Sequence, residues 1–352
     1  MLDNIWKKEG HADAILVSDG YNMRYLSGFR GATGYLFLTP GRKVLLTDSR
    51  YTTQAKAEAA GFEVMEAGGE RGYGVLLAEL IRETQASSLM FEDQHLIYGD
   101  FMKLREACPD ICWIPAGEEL NRLRIVKTEK ELASLARAEA IGDQAFTRIL
   151  SDIRPGVTEL EIAAKLDYYM KEAGAVGNSF DTIVASGLHS AMPHAIPSEK
   201  KIEAGDFVTM DFGCVYEGYC SDMTRTIVVG KADGKQKEIY RIVLEAQLAA
   251  LQVIRAGMTG SEVDAVARRV IAEAGYGEYF GHGLGHSVGL FIHEEPRLSP
   301  KCHEVLRENV IQTVEPGIYL PGFGGVRIED LVCVTADGCR NFTHSPKELI
   351  EL

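Results

Sequence analysis

Short apolar runs alternate with amphipathic stretches along the first third of the chain. "ADAILVS", "GYLFLT" and "KVLLTD" are brief, nearly continuous hydrophobic runs bounded by turn residues, which is the pattern of strands. "SRYTTQAKAEAAG" spaces its alanines as a helix does and closes at Gly61. The pattern predicts an α/β domain. It changes around "CPDICWIPAGEELNRLRIVKTEKE", where two prolines and a glycine precede a long helical stretch. Thr128 there is an N-cap, and Glu131 three residues on completes a capping box. We place the boundary near residue 121, giving domains 1–121 and 122–352.

The second part repeats itself. "RPGVTELEIAAKLDYYMKEAG" starts at Arg154 and "RAGMTGSEVDAVARRVIAEAG" at Arg255, an offset of 255 − 154 = 101. Each is a capped helix with an apolar stripe, Ile162, Leu166, Tyr169 and Met170 in one, Val263, Val266, Val270 and Ile271 in the other. An amphipathic helix precedes each copy, and a strand–turn–strand pattern follows each. The first hairpin, "MDFGCVYEGYCSDMTRT", carries Asp211 and Asp222; the second, "TVEPGIYLPGFGGVRIED", carries Glu315 and Glu329. Hairpins facing each other across a two-fold would gather four carboxylates, which cannot all stay ionised without cations.

Composition narrows the function classes. The 352 residues suffice for two domains, each with its own core. Acidic residues number 51 against 37 basic, a net charge of −14 with no basic stripe, which argues against a nucleic-acid surface. No apolar stretch is long enough to span a bilayer. The first residues, "MLDNIWKKEGHADAILV", lack the apolar core and cleavage site of a signal peptide, so a cytoplasmic protein is expected. Seven scattered cysteines, an odd number, suit free thiols in a reducing compartment.

Carboxylates are hard oxygen ligands that suit Mn, Co or Zn, and such centres often take an imidazole as well. "FGHGLGHSVGLFIHEEP" offers His282, His286 and His293, three of only nine histidines in the chain, and "SAMPHAIPS" adds His194. Arg327 shares a strand face with Glu329 by the period of two.

"PHAIPS", "MDFGCVYEGYCSDMTRT", "GHGLGHSVGLFIHEEPR", "TVEPGIY" and "GVRIED", in this order and spacing, resemble the signature of metallopeptidases with the pita-bread fold. The likeness is strongest to the proline-peptidase branch, aminopeptidase P and prolidase. "RYLSGF" and the α/β pattern before residue 121 resemble that branch's N-terminal domain. The resemblance implies an α/β domain followed by an α+β pita-bread catalytic domain with an internal pseudo-two-fold repeat. It implies two divalent ions (Mn, Co or Zn), with Asp211 on one, His286 and Glu315 on the other, and Asp222 and Glu329 bridging both. By the same resemblance His194 and His293 are catalytic, and Glu315 accepts a proton from the attacking hydroxide's parent water. His282, Arg297, Tyr319 and Arg327 are then substrate-side residues, and Thr224 is a near-site position.

The implied reaction is hydrolysis of the Xaa-Pro bond of N-terminal Xaa-Pro peptides or of Xaa-Pro dipeptides, by a homodimer. Arg297 resembles a prolidase arginine that clamps a dipeptide's carboxylate; if it faces water instead, longer peptides would enter. A metal-free creatinase-like hydrolase and a non-catalytic binding protein on the same fold are the alternatives. Retention of all five ligand positions argues against the first, and the lack of ligand loss or basic extensions argues against the second.

Overall fold

A computed structural model describes residues 12–352, and the chain divides between Arg124 and Ile125 into two compact units. The first unit is built on six strands: β1 (Ala14–Val17), β2 (Tyr35–Leu38), β3 (Lys43–Asp48), β4 (Glu63–Ala67), β5 (Ser88–Phe91) and β6 (Cys112–Pro115). Among the described residues four helices accompany them: α1 (Gly20–Ser27), α2 (Thr52–Glu58), α3 (Tyr73–Thr84) and α4 (Tyr98–Ala107). The sheet runs β4-β3-β2-β1-β5-β6, with β1–β2 and β2–β3 antiparallel and the other pairs parallel. The three strands expected from the apolar runs all form. They read as continuous runs because both faces of the sheet are covered: Ala14 and Leu16 enter one core, Ile15 and Val17 the other. The expected helix is shorter than its pattern: α2 ends at Glu58, and Gly61 lies beyond it at φ 82°.

The second unit opens with α5 (Glu129–Ile149), capped by the Thr128–Glu131 box. Then follow α6 (Glu159–Glu172), β7 (Gly177–Asn178), β8 (Ile183–Ser186), β9 (Phe207–Phe212), β10 (Cys214–Tyr216), β11 (Tyr219–Cys220) and β12 (Met223–Val228). Next come α7 (Gly234–Val253), α8 (Gly260–Glu273), β13 (Gly285–Ser287), β14 (Glu294–Leu298) and β15 (Ile311–Val314). The last strands are β16 (Gly317–Leu320), β17 (Gly324–Arg327), β18 (Asp330–Val334) and β19 (Cys339–Asn341). This is an α+β arrangement of helix pairs and antiparallel hairpins.

The repeat is present in the backbone. Thr158 and Thr259 cap α6 and α8 with matching boxes at φ/ψ of −87°/158° and −87°/156°. Gly156 and Gly257 stand before them at φ 93° and 90°. Their N–H groups donate to Ile202 and Leu306 carbonyls at 2.8 and 2.9 Å. Each copy buries its stripe separately: Ile162, Leu166 and Met170 pack with Val208, Met210 and Phe212 of β9, while Val263 and Ile271 pack with Val314, Ile318 and Val326. Because Val208, Met210 and Phe212 fill that core, the period of two turns Thr209 and Asp211 to the opposite face of β9. All seven cysteines lie in the described residues and none is paired.

Candidate metal centre and its cavity

Asp211 on β9 sits directly across from Thr224 on β12, and Asp222 lies just before β12 begins. Glu329 follows β17, with its N–H donating to the Thr224 carbonyl at 3.1 Å. One ligand oxygen each from Asp211, Asp222 and Glu329 can be drawn within 4.8 Å of one another. His286 on β13 brings Nε2 to 3.5 Å from Asp222 Oδ2 and 3.5 Å from Glu315 Oε1. The two hairpins and the glycine-rich strand therefore converge on one spot.

A polar frame holds these groups. Arg327, buried on β17, donates from Nη2 to Asp211 Oδ2 at 2.6 Å and from Nε to Thr224 Oγ1 at 3.0 Å. Thr224 passes its own proton to Glu329 Oε2 at 2.7 Å, so one guanidinium orients carboxylates from both halves. Thr313 Oγ1 donates to Glu315 Oε1 at 3.1 Å and accepts the His286 N–H at 3.0 Å.

The cluster lies in the wall of a cavity of about 590 Å³. His194, His282, His293, Arg297 and Arg327 line the same cavity, together with Phe180, Ile196 and Ser299. The His293 ring stands 4.7 Å, centroid to centroid, from that of His286. Arg297 faces His286 across the β13–β14 pair and gives its Nε to Glu295 Oε1 at 3.1 Å. Tyr319 departs from the expected substrate contact, because it is not in the cavity wall. Its buried hydroxyl accepts from Arg327 Nη1 at 2.8 Å and lies 3.0 Å from His282 Nε2. The small residues of β16 and β17 draw it inward: Gly325 is its cross-strand partner.

Residues 133–336 match the profile of metallopeptidase family M24, and residues 2–126 that of the creatinase/prolidase N-terminal domain. The chain belongs to family M24. An Xaa-Pro dipeptidase of Pyrococcus furiosus is 50% identical over 342 residues, covering 97% of this chain and 96% of that protein. A solved Xaa-Pro dipeptidase from Bacillus anthracis superposes with a TM-score of 0.94 at 48% identity, over 97% of this chain and 95% of that one. An X-Pro aminopeptidase structure from Thermotoga maritima gives a TM-score of 0.92 at 41% identity, over 97% and 98% of the two chains. The two-domain pita-bread architecture expected from the sequence is thereby shown.

Three features of the M24 site fit a bound cation. Asp211 Oδ1 is buried and has no hydrogen-bond partner, although Oδ2 is held. His286 Nδ1 lies 3.1 Å from the Ser287 carbonyl, which can only accept, so the lone pair is on Nε2 and points at two carboxylates. Burial, with neighbouring Glu329 adding to it, pushes Asp222 well above the usual carboxylate range, and burial does the same to Glu329. Burial also raises Glu315 to about 7 and lowers His286 to about 3. Divalent cations remove all these conflicts together.

His282 is pushed down to about 4, first by burial and then by Arg327. Its Nδ1 lies 2.7 Å from the Gly283 carbonyl, leaving Nε2 to accept the Tyr319 proton. Burial also lowers His293.

One contributor escaped the reading of motifs. Glu139 of α5 is fully buried, accepts the Asp222 N–H at 3.2 Å and the Thr343 hydroxyl at 2.6 Å, and is pushed by burial to about 8. Its signal was a glutamate inside the apolar stripe of α5, next to Ala138 and four residues after Leu135.

Proposed function

We propose that this M24 protein is a metal-dependent exopeptidase that hydrolyses Xaa-Pro bonds. The carrying observation is the convergence of Asp211, Asp222, Glu329, Glu315 and His286, buried or half-buried, on a cavity that His194, His293 and Arg297 also line. The names of its relatives, Xaa-Pro dipeptidases at 40% and 50% identity, support the substrate class.

Asp211, Asp222, Glu329, Glu315 and His286 would hold two divalent ions of the Mn, Co or Zn kind, to which they offer four carboxylates and one imidazole. When bound, such ions would supply a hydroxide nucleophile at neutral pH and polarise the scissile carbonyl. Glu315, which lines the cavity beside His286, takes the proton released by the attacking water and delivers it to the leaving prolyl nitrogen. That nitrogen has no hydrogen of its own in the substrate, so the site cannot rely on an N–H contact there. His293 and His194 donate hydrogen bonds to the substrate carbonyl as it becomes tetrahedral, a contribution of roughly 3 kcal/mol for a well-placed donor. Arg327 and Thr224 keep the carboxylates in place, and Tyr319 locks His282 against the cavity wall.

Arg297 favours dipeptides. Its guanidinium lines the cavity with only Nε engaged, so its terminal nitrogens are available to a substrate carboxylate. The seven unpaired thiols support a reducing, cytoplasmic setting.

The test compares an Xaa-Pro dipeptide with an Xaa-Pro tripeptide, each assayed after metal removal and after adding Mn²⁺ or Co²⁺. Metal-dependent cleavage of the dipeptide is expected. Cleavage of the tripeptide alone would make the protein an aminopeptidase P type enzyme, and no metal-dependent cleavage of either would refute the peptidase reading.

A further inference from the structure

Residues 187–197, which carry His194 into the cavity wall, rest on β17 at their first turn but leave their large apolar side chains exposed. Leu188, Met192 and Ile196 are 61%, 48% and 84% exposed, and only Ser190 and Ala195 are buried. His194 itself is exposed. Polar contacts therefore share in fixing where its imidazole stands.

The two ends of this segment meet on one carboxylate. Glu159, the first residue of α6, is completely buried and lies outside the cavity wall. Its Oε1 accepts from the Ser186 N–H at 2.7 Å and the Ser186 hydroxyl at 2.8 Å. Its Oε2 accepts from the Ser198 N–H at 3.2 Å and hydroxyl at 2.7 Å. His189 Nδ1, within the segment, lies 3.2 Å from both oxygens. Two further ties reach the middle, from the Gly325 N–H to Ser190 Oγ at 2.9 Å and from Arg327 Nη1 to the Pro193 carbonyl, next to His194, at 3.3 Å.

Helix capping does not account for Glu159, because the Thr158–Glu161 box already caps α6. The second copy of the repeat caps α8 identically with Gly260 at the corresponding position (159 + 101 = 260). There a Cβ would come within 2.1 Å of the Arg297 carbonyl, so the helix start rests directly on β14. In the first copy the residue at that position, Glu159, carries a carboxylate that gathers a loop. Although burial opposes it, hydrogen bonding from Ser198 and Ser186 keeps the Glu159 carboxyl below its usual range, so it stays an acceptor at neutral pH.

We propose that Glu159 is the positioning residue for His194, closing residues 187–197 into a fixed loop from outside the cavity. This rests on the reading that His194 acts on the substrate.

The test is a double-mutant cycle on the Mn²⁺-loaded enzyme with an Xaa-Pro dipeptide: wild type, Glu159→Gln, His194→Ala and the double variant. Glu159→Gln is expected to lower kcat by about 10- to 100-fold with KM and manganese content little changed, the scale of a catalytic group displaced by an ångström. In the His194→Ala background the same change should cost less than about two-fold. In metal-free protein, hydrogen exchange over 187–197 should quicken. Unchanged kcat in Glu159→Gln, or an equal loss in both backgrounds, overturns the proposal. A fully active His194→Ala overturns the underlying reading instead. If Glu159→Gln does not fold, Ser198→Ala cuts the far end of the loop while leaving Glu159 bonded to Ser186, and the same cycle with it decides.

Discussion

Arg327 holds one oxygen of Asp211 at 2.6 Å while the other, Oδ1, is buried without a hydrogen-bond partner. An arginine that saturates one oxygen rotates the carboxylate so that its second lone-pair set faces the cluster. Charge-assisted hydrogen bonds of this kind contribute about 1.5 to 3 kcal/mol. Arg327→Met is therefore expected to weaken Mn²⁺ binding and to lower kcat by roughly 10- to 100-fold. Manganese titration and steady-state kinetics check this; a variant that binds both ions as tightly and turns over normally would remove Arg327 from the site's frame.

The same crowding of carboxylates sets a pH dependence for the metal-free protein. Asp222 and Glu329 are raised well above their usual range, Glu315 to about 7 and Glu139 to about 8. Above pH 6.5 these groups are ionised in the unfolded chain but still partly protonated when folded. The native state then binds more protons, so stability falls as pH rises toward 8. Depressed His282 and His286 act oppositely, but only below about pH 6.5, where the unfolded chain protonates them. The melting temperature of metal-free protein should therefore drop between pH 6.5 and 8, and Mn²⁺ should abolish most of the drop. A flat or rising profile without metal would contradict this account.

Much of this was legible in the sequence because it is periodic. The alternating apolar runs gave β1 to β3, and the paired capping boxes and Glu-Ala-Gly ends marked α6 and α8, where the backbone angles prove nearly identical. The convergence of Asp211, Asp222, Glu315 and Glu329 followed from placing one acid on each hairpin arm, and His286 was marked by the resemblance. The frame behind them was hidden for a physical reason. Glu139 and Glu159 act through hydrogen bonds to residues far off in the chain, for example Glu139 to Thr343, and no local pattern encodes such a partner. Tyr319 stands one contact behind the cavity wall, on His282 and Arg327, a distinction that a motif, which names only a neighbourhood, does not make.

A buried ion pair offers a separate test of how the second half is held. Lys127 donates to Glu294 at 2.8 Å with side chains only 1% and 5% exposed, and Glu294 also accepts the Phe291 N–H at 3.2 Å. Removing one partner strands a desolvated charge, which typically costs about 3 to 5 kcal/mol. Lys127→Met should therefore lower unfolding stability by that order in chemical denaturation. The Lys127→Met, Glu294→Leu double variant should recover part of it, and a single variant as stable as wild type would show the pair to be solvated.

Arg297 supplies the sharpest test of substrate length. Its Nε is tied to Glu295, an exposed partner, which fixes the guanidinium at the cavity wall without consuming its terminal nitrogens. A dipeptide presents its carboxylate one residue beyond the scissile bond, whereas a tripeptide replaces that charge with a neutral amide at the same distance. Loss of a charge-assisted pair predicts that Arg297→Met raises KM for an Xaa-Pro dipeptide by about 10- to 100-fold with kcat changed far less. The tripeptide, which never made the pair, should show kcat/KM within about two-fold of wild type. Equal losses on both substrates would mean that Arg297 shapes the cavity rather than reading the carboxylate, and unchanged dipeptide KM would place the clamp elsewhere.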